Sequence, residues 1–244
     1  MPLQTIEPRR LYRQIAEQLR GLIRSGEYAV GARLPPERDL ALQLKVSRPS
    51  VREALIALEV EGLVEVRMGS GIYVIAREPS AAGVESELSP FEIIRARQLI
   101  ECELAALAAG SAKTDDIVHG LRDALALMEA DIARELMPIR GDRLFHVRVA
   151  EASENGALLR VVTDLYDQRN NPLFERLGRH FERVGTWRAA VAEHRLVVTA
   201  IAAQDPARAR AAMHDHLQRS HDRFGAAWAG GDPAIKPSAE QQAA

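Results

Sequence analysis

The sequence predicts a mainly α protein in two parts, an N-terminal winged helix-turn-helix followed by an all-helical bundle. Three observations carry this. Residues 36–58 hold two segments of helical period split by a two-residue connection, Lys45-Val46. After Gly62 the pattern switches to alternation around a turn containing Gly69 and Gly71. From Phe91 to about Phe224 nearly every segment has helical period, with no convincing strand.

Taken in order, Arg10 to Gly26 reads as a first helix with Leu11, Ile15, Leu19, Leu22 and Ile23 as its stripe. Pro36 opens a shorter second helix, Glu37 to Leu44. The third begins at Ser47, a good N-cap, with Pro49 in the first turn, where a missing N–H costs little. On it Arg48 and Arg52 lie about 40° apart around the axis, beside an apolar stripe of Val51, Ala54, Leu55 and Leu58. One side packs, and the adjoining side is expected to present two guanidinium groups. Leu63 to Arg67 and Ile72 to Ile75 then form a two-stranded wing, whose glycines let the backbone approach a phosphate or groove floor. Helix, helix and hairpin would also serve as a plain packed unit with solvated arginines. Their agreement with Arg38 favours DNA binding.

Residues 78–89 lack periodicity and read as a linker, which divides the chain into 1–77, a second domain at 90–230 and a disordered tail at 231–244. Helices are expected at about 91–111, 114–135, 142–153, 156–169, 173–183, 188–203 and 206–228. Pro138, Gly141, Asn155-Gly156, Asn171-Pro172, Gly185 and Asp205-Pro206 are the breaks.

With 47% apolar and 27% charged residues in 244, two ordinary cores are possible. No run of eighteen apolar residues occurs and the N-terminus lacks a secretory pattern, so a cytoplasmic location without membrane contact is expected. Cys102 is the single cysteine, which excludes an intrachain disulfide and a thiolate-rich metal site; it reads as a small core residue. Residues 1–77 hold 12 Lys or Arg against 9 Asp or Glu, while residues 78–244 hold 20 against 25. The sign of that asymmetry suits phosphate contacts at the front and a different task behind.

Two constellations stand in the second part. Asp142 and His146 are at i and i+4, so one helix face offers a carboxylate and an imidazole that one ion can bridge. His194 and His216 lie on later helices and would join them only if antiparallel packing brings those faces together. An oxygen and nitrogen set suits zinc, nickel or manganese. Taken singly, each of the four also reads as an ordinary polar residue on a helix surface. His214 faces nearly away from His216, and His119, His180 and His221 are read as plain surface or core histidines. Arg97 and Glu101 are four apart, the spacing of a helix-surface ion pair.

The stretch from Leu34-Pro35-Pro36-Glu37-Arg38 through Val51-Arg52-Glu53-Ala54-Leu55 to Gly69-Ser70-Gly71 resembles the winged-helix domain of GntR-family bacterial regulators. Asp142-Arg143-Leu144-Phe145-His146, Glu193-His194 and Met213-His214-Asp215-His216 resemble the metal-binding motifs of the FCD effector domain of that family's FadR subgroup. The resemblance runs from about Ile6 to Ala227. It extends to hexuronate-utilisation repressors at Glu7-Pro8-Arg9-Arg10, Pro90-Phe91-Glu92 and Gln168-Arg169-Asn170-Asn171-Pro172.

It implies that Arg38, Ser47, Arg48, Ser50, Arg52 and Gly69 contact a duplex. It implies that Asp142, His146, His194 and His216 ligate a divalent metal, zinc first, and that Arg97 grips an effector carboxylate such as a uronate. A homodimer on a pseudo-palindromic operator follows from two-fold symmetry. Two other classes stay open on the residues alone. One is a metal-dependent hydrolase or dehydratase of sugar acids. The other is an RNA adaptor, against which the winged-helix segment offers few stacking aromatics, Tyr12, Tyr28 and Tyr73.

Overall fold

The computed structural model describes residues 11–67, 70–79, 88, 90–169 and 182–228, with the side chains of 224–228 excepted. Gly69, His180, most of the 78–89 linker, residues 173–181 of the expected 173–183 helix and the tail beyond 230 lie outside the described residues, and Glu182 and Arg183 are not helical. The expected fold class is met: nine helices and a two-stranded wing among the described residues, in two compact units, the second spanning Val84–Arg223.

In the first unit α1 (Leu11–Ser25) buries Tyr12, Ile15, Ala16, Leu19 and Ile23, and ends at Gly26 with φ +84°, a left-handed position that glycine adopts freely. Leu11, expected in the stripe, is instead exposed. The α2 helix (Glu37–Leu44) turns at Lys45, also left-handed at φ 55°, into α3 (Arg48–Val60). Ser47 caps α3 by accepting the Ser50 N–H at 3.3 Å. Val51, Ala54, Leu55 and Leu58 are fully buried where α3 packs on α1, each large side chain contributing about 1.5–3 kcal/mol. Antiparallel β1 (Val64–Arg67) and β2 (Gly71–Val74) pair Val64 with Val74 and Val66 with Ile72, and turn Val64, Ile72 and Val74 inward.

The second unit is a bundle of α4 (Pro90–Ala109), α5 (Thr114–Ala133), α6 (Ile139–Glu151), α7 (Gly156–Asp167), α8 (Val184–Ala202) and, up to Arg223, α9 (Pro206–Trp228). Leu104, Leu121, Met128, Phe145, Val149, Val197, Ile201 and Met213 form its core. Asn155 caps α7, and Asp205 caps α9 by accepting the Arg208 N–H at 3.0 Å. Cys102 is buried in this core, and burial pushes its thiol up to about 11.

Two expected breaks lie inside helices instead. Gly185 sits in the first turn of α8, and Gly141 in α6, which starts at Ile139. Gly141 marks a close helix approach rather than an end. A Cβ there would stand 2.7 Å from the Met128 backbone N and 2.8 Å from the Ala124 carbonyl oxygen on α5. Among the described residues no helix is long and apolar enough to cross a membrane.

Candidate functional site

In the first unit the start of α3 presents Ser47 and Arg48 at the surface, with Ser50 half-buried behind them and Arg38 exposed on α2. Arg52 corrects the expectation of a second presented guanidinium. It is 7% exposed, and donates from Nε and Nη2 to the two carboxylate oxygens of Glu37 at 3.0 and 2.9 Å. The reason is tertiary: the first residue of α2 crosses the face of α3 that a lone helix would leave open.

In the second unit Asp142 and His146 of α6 meet His194 of α8 and His216 of α9. One ligand atom from each lies within 4.8 Å of all the others, and the three rings are buried. His194 Nε2 is 3.3 Å from His146 Nε2 and 3.4 Å from Asp142 Oδ1, and His146 Nε2 is 3.9 Å from the same oxygen. Separations of this size suit atoms sharing one ion at about 2.0–2.2 Å each.

The outward ring atoms show why these inner ones fit a cation. His194 Nδ1 faces the Ala190 carbonyl at 2.8 Å, which can only accept, so the proton sits there and Nε2 of the neutral ring is bare. Burial first, then the neighbouring His216, hold the His194 imidazole well below its ordinary pKa. His146 Nδ1 faces Glu101, and His216 Nδ1 faces Glu193 at 3.0 Å. Burial opposes ionisation of Glu101, yet Arg97 and His146 outweigh it and hold its carboxyl at about 2. For Glu193, hydrogen bonds from His216 and Arg223 likewise outweigh burial.

Each ring thus gives its Nδ1 hydrogen to an outer acceptor and turns a lone pair inward, the arrangement of metal-bound histidines. Asp142 completes the set. Burial raises its carboxyl, but Arg169, His146, His194 and Arg97 together hold it well below the usual range. Its Oδ2 accepts from Arg169 at 2.8 Å and from the Tyr166 hydroxyl, which leaves Oδ1 for the centre. Several acceptors converging without a hydrogen between them are mutually repulsive unless a cation stands among them.

Beside this cluster, Arg97 departs from the plain alternative of a helix-surface ion pair. Arg97 is 3% exposed and Glu101 fully buried, with Nε donating to Glu101 at 2.6 Å. Its Nη2 is buried with no hydrogen-bond partner among the described residues. The guanidinium lies 5.1 Å from the centre of the Tyr166 ring, and Arg169 lies 4.7 Å from the same ring. An unsatisfied, always-charged donor in such a place suits a carboxylate.

The sequence reading missed Glu101, Glu193, Tyr166 and Arg169 as supports. For Glu101 a signal existed: Ile94, Arg97, Glu101, Leu104 and Ala108 share one helical stripe, which buries the pair. For Glu193, which answers to His216 across the bundle, none did. Of the remaining histidines, His119 and His214 are exposed, and His221 packs edge-on against Phe91.

The family description "Bacterial regulatory proteins, gntR family" matches residues 11–74, and "FCD domain" matches residues 92–219. The chain is 39% identical over 228 residues to the "Exu regulon transcriptional regulator" of Escherichia coli (strain K12), covering 89% of this chain and 86% of that protein. It is 38% identical over 224 residues to the "Uxu operon transcriptional regulator" of the same strain, covering 88% and 87%. Among solved structures it is similar to "Streptococcus agalactiae GntR", with TM-score 0.46 and 27% identity, covering 86% of this chain and 99% of that one.

Proposed function

This chain belongs to the GntR family of bacterial regulatory proteins, in the branch that carries an FCD domain, and is a DNA-binding transcription regulator; on that premise we propose that a sugar-acid effector controls its operator binding. The effector is a carboxylate of the hexuronate class, taken up at a divalent metal and Arg97. One observation supports this reading above others: lone pairs of three imidazoles and one carboxylate converge beside the buried Nη2 of Arg97, which has no partner among the described residues. Asp142, His146, His194 and His216 would hold the ion, zinc first, with nickel or manganese also fitting the donors. Bound there, the ion supplies a Lewis-acidic site for a carboxylate or hydroxyl oxygen. Arg97 orients the carboxylate through a donor that never deprotonates near neutral pH. The names of the Exu and Uxu relatives point to hexuronates, and no support for the enzyme alternative comes from the matches.

At the other end, residues 1–77 act as the DNA-binding domain, joined through 78–89 to the effector domain at 90–230. A homodimer sets two α3 helices on a pseudo-palindromic operator. Arg48 reads a base, Arg38 holds phosphate, Ser47 and Ser50 approach the backbone, and Gly69 enters the minor groove. Effector and operator then oppose one another by a common factor, of the order of 5–150-fold in binding.

Metal analysis of purified protein tests the ligand set. About one ion per chain is expected, with occupancy falling in His146→Ala and His194→Ala; full occupancy in both overturns it. Glucuronate and galacturonate should raise the Tm of metal-loaded protein, but not of chelator-treated protein, and shift affinity for a duplex selected by the protein. No response to either acid overturns the effector class.

A further inference from the structure

In the sequence Glu37 stands as one residue of α2 and of the Leu34 to Arg38 motif, yet it is 8% exposed and bonded to both Arg48 and Arg52 of α3. Besides the two bonds from Arg52, its Oε1 accepts from Arg48 Nε at 2.9 Å. The Arg48 side chain is 54% exposed, and its two terminal nitrogens hold no hydrogen bond among the described residues. A guanidinium fixed by its Nε edge keeps the Nη1 and Nη2 edge free, and that edge can bridge guanine O6 and N7.

We propose that Glu37 is a positioning residue for base reading: it clamps Arg48 by Nε, presents the terminal edge of that guanidinium to the groove, and neutralises the buried Arg52. This rests on Arg48 being the base reader, as proposed above. Two consequences follow. The rotamers of Arg48 are restricted before DNA arrives, so less side-chain freedom is lost on binding. The three groups also carry one net positive charge instead of two, which lowers attraction to arbitrary sequence relative to the selected one.

The test uses the full chain, a duplex selected by the wild-type protein from a random pool, its single-base-pair variants and a scrambled duplex. In Glu37→Gln, affinity for the scrambled duplex should rise. The slope of log affinity against log salt should steepen by about 0.9 per subunit, and discrimination at the base pair read by Arg48 should fall about tenfold. Glu37→Asp retains the charge but withdraws it, so discrimination should fall with the slope unchanged. In the double variant with Arg48→Ala, Glu37→Gln should cost no further discrimination.

Equal weakening on every duplex with an unaltered slope would make Glu37 a plain structural support and overturn the proposal, as would unchanged discrimination in both Glu37 variants. If Arg48→Ala alone leaves discrimination intact, the base-reading assignment itself falls, and the proposal with it, an outcome distinct from the other two.

Discussion

Glu101→Gln isolates the electrostatics that hold the metal-site histidines in place. The carboxyl of Glu101 lies at about 2 against an ordinary 4.5, because the Arg97 guanidinium and the hydrogen bond from His146 outweigh its burial. A shift of that size corresponds to about 3 kcal/mol favouring the ionised group in its folded site. Glutamine keeps the shape but removes the charge, which leaves the Arg97 guanidinium buried, with Nη2 already lacking a partner among the described residues. Breaking a buried pair in this way costs about 3–5 kcal/mol, so metal-depleted Glu101→Gln should lose about 3 kcal/mol of bundle stability at pH 7.

Because the folded-state pKa is depressed, the contribution is present above pH 4.5 and is lost as pH falls toward 2. The gap between wild type and variant should therefore narrow by about 1 kcal/mol by pH 4. Denaturant unfolding followed by tryptophan fluorescence reads this out, since Trp187 lies in α8 of the bundle. A loss below about 1 kcal/mol at pH 7 would refute the buried-charge reasoning. A gap constant with pH would assign the loss to packing instead.

Two further outcomes are expected. Gly141→Ala would on helix propensity alone gain about 1 kcal/mol, but the new Cβ meets Met128 and Ala124 atoms at 2.7–2.8 Å, so a net loss of about 1–3 kcal/mol is expected in the same assay; a gain would contradict the close approach of α5 and α6. Burial lowers the pKa of His194 and of His216, and Asp142 is also held low, so metal retained after dialysis should be the same at pH 6.5 as at pH 7.5. Loss of half the ion across that interval would mean that the rings titrate as exposed imidazoles do.

Much of this molecule is written in local signals. The helix-turn-helix rests on Pro36, the Ser47 cap and the apolar spacing of Val51, Ala54, Leu55 and Leu58, each effective within a turn or two of chain. The wing rests on period-two alternation around glycine, and the caps at Asn155 and Asp205 are equally local. Gly141 and Gly185 misled because glycine marks either a helix end or a close approach, and only the neighbouring helix distinguishes them. Gly141 faces Met128, thirteen residues away in sequence.

The sequence by itself therefore determined the class of fold, the order of its elements, and which side chains could act as ligands, because periodicity, capping and residue chemistry are properties of short segments. The tertiary structure alone decided which of them meet. Asp142, His146, His194 and His216 converge from three helices, and their outer hydrogen bonds run to Glu101 on α4, to Glu193 and to the Ala190 carbonyl. Arg97 was turned from a surface pair into a buried donor, and Arg52 from a presented cation into the partner of Glu37. Burial and charge compensation depend on what packs from outside the segment, and one helix read in isolation carries no record of its neighbours.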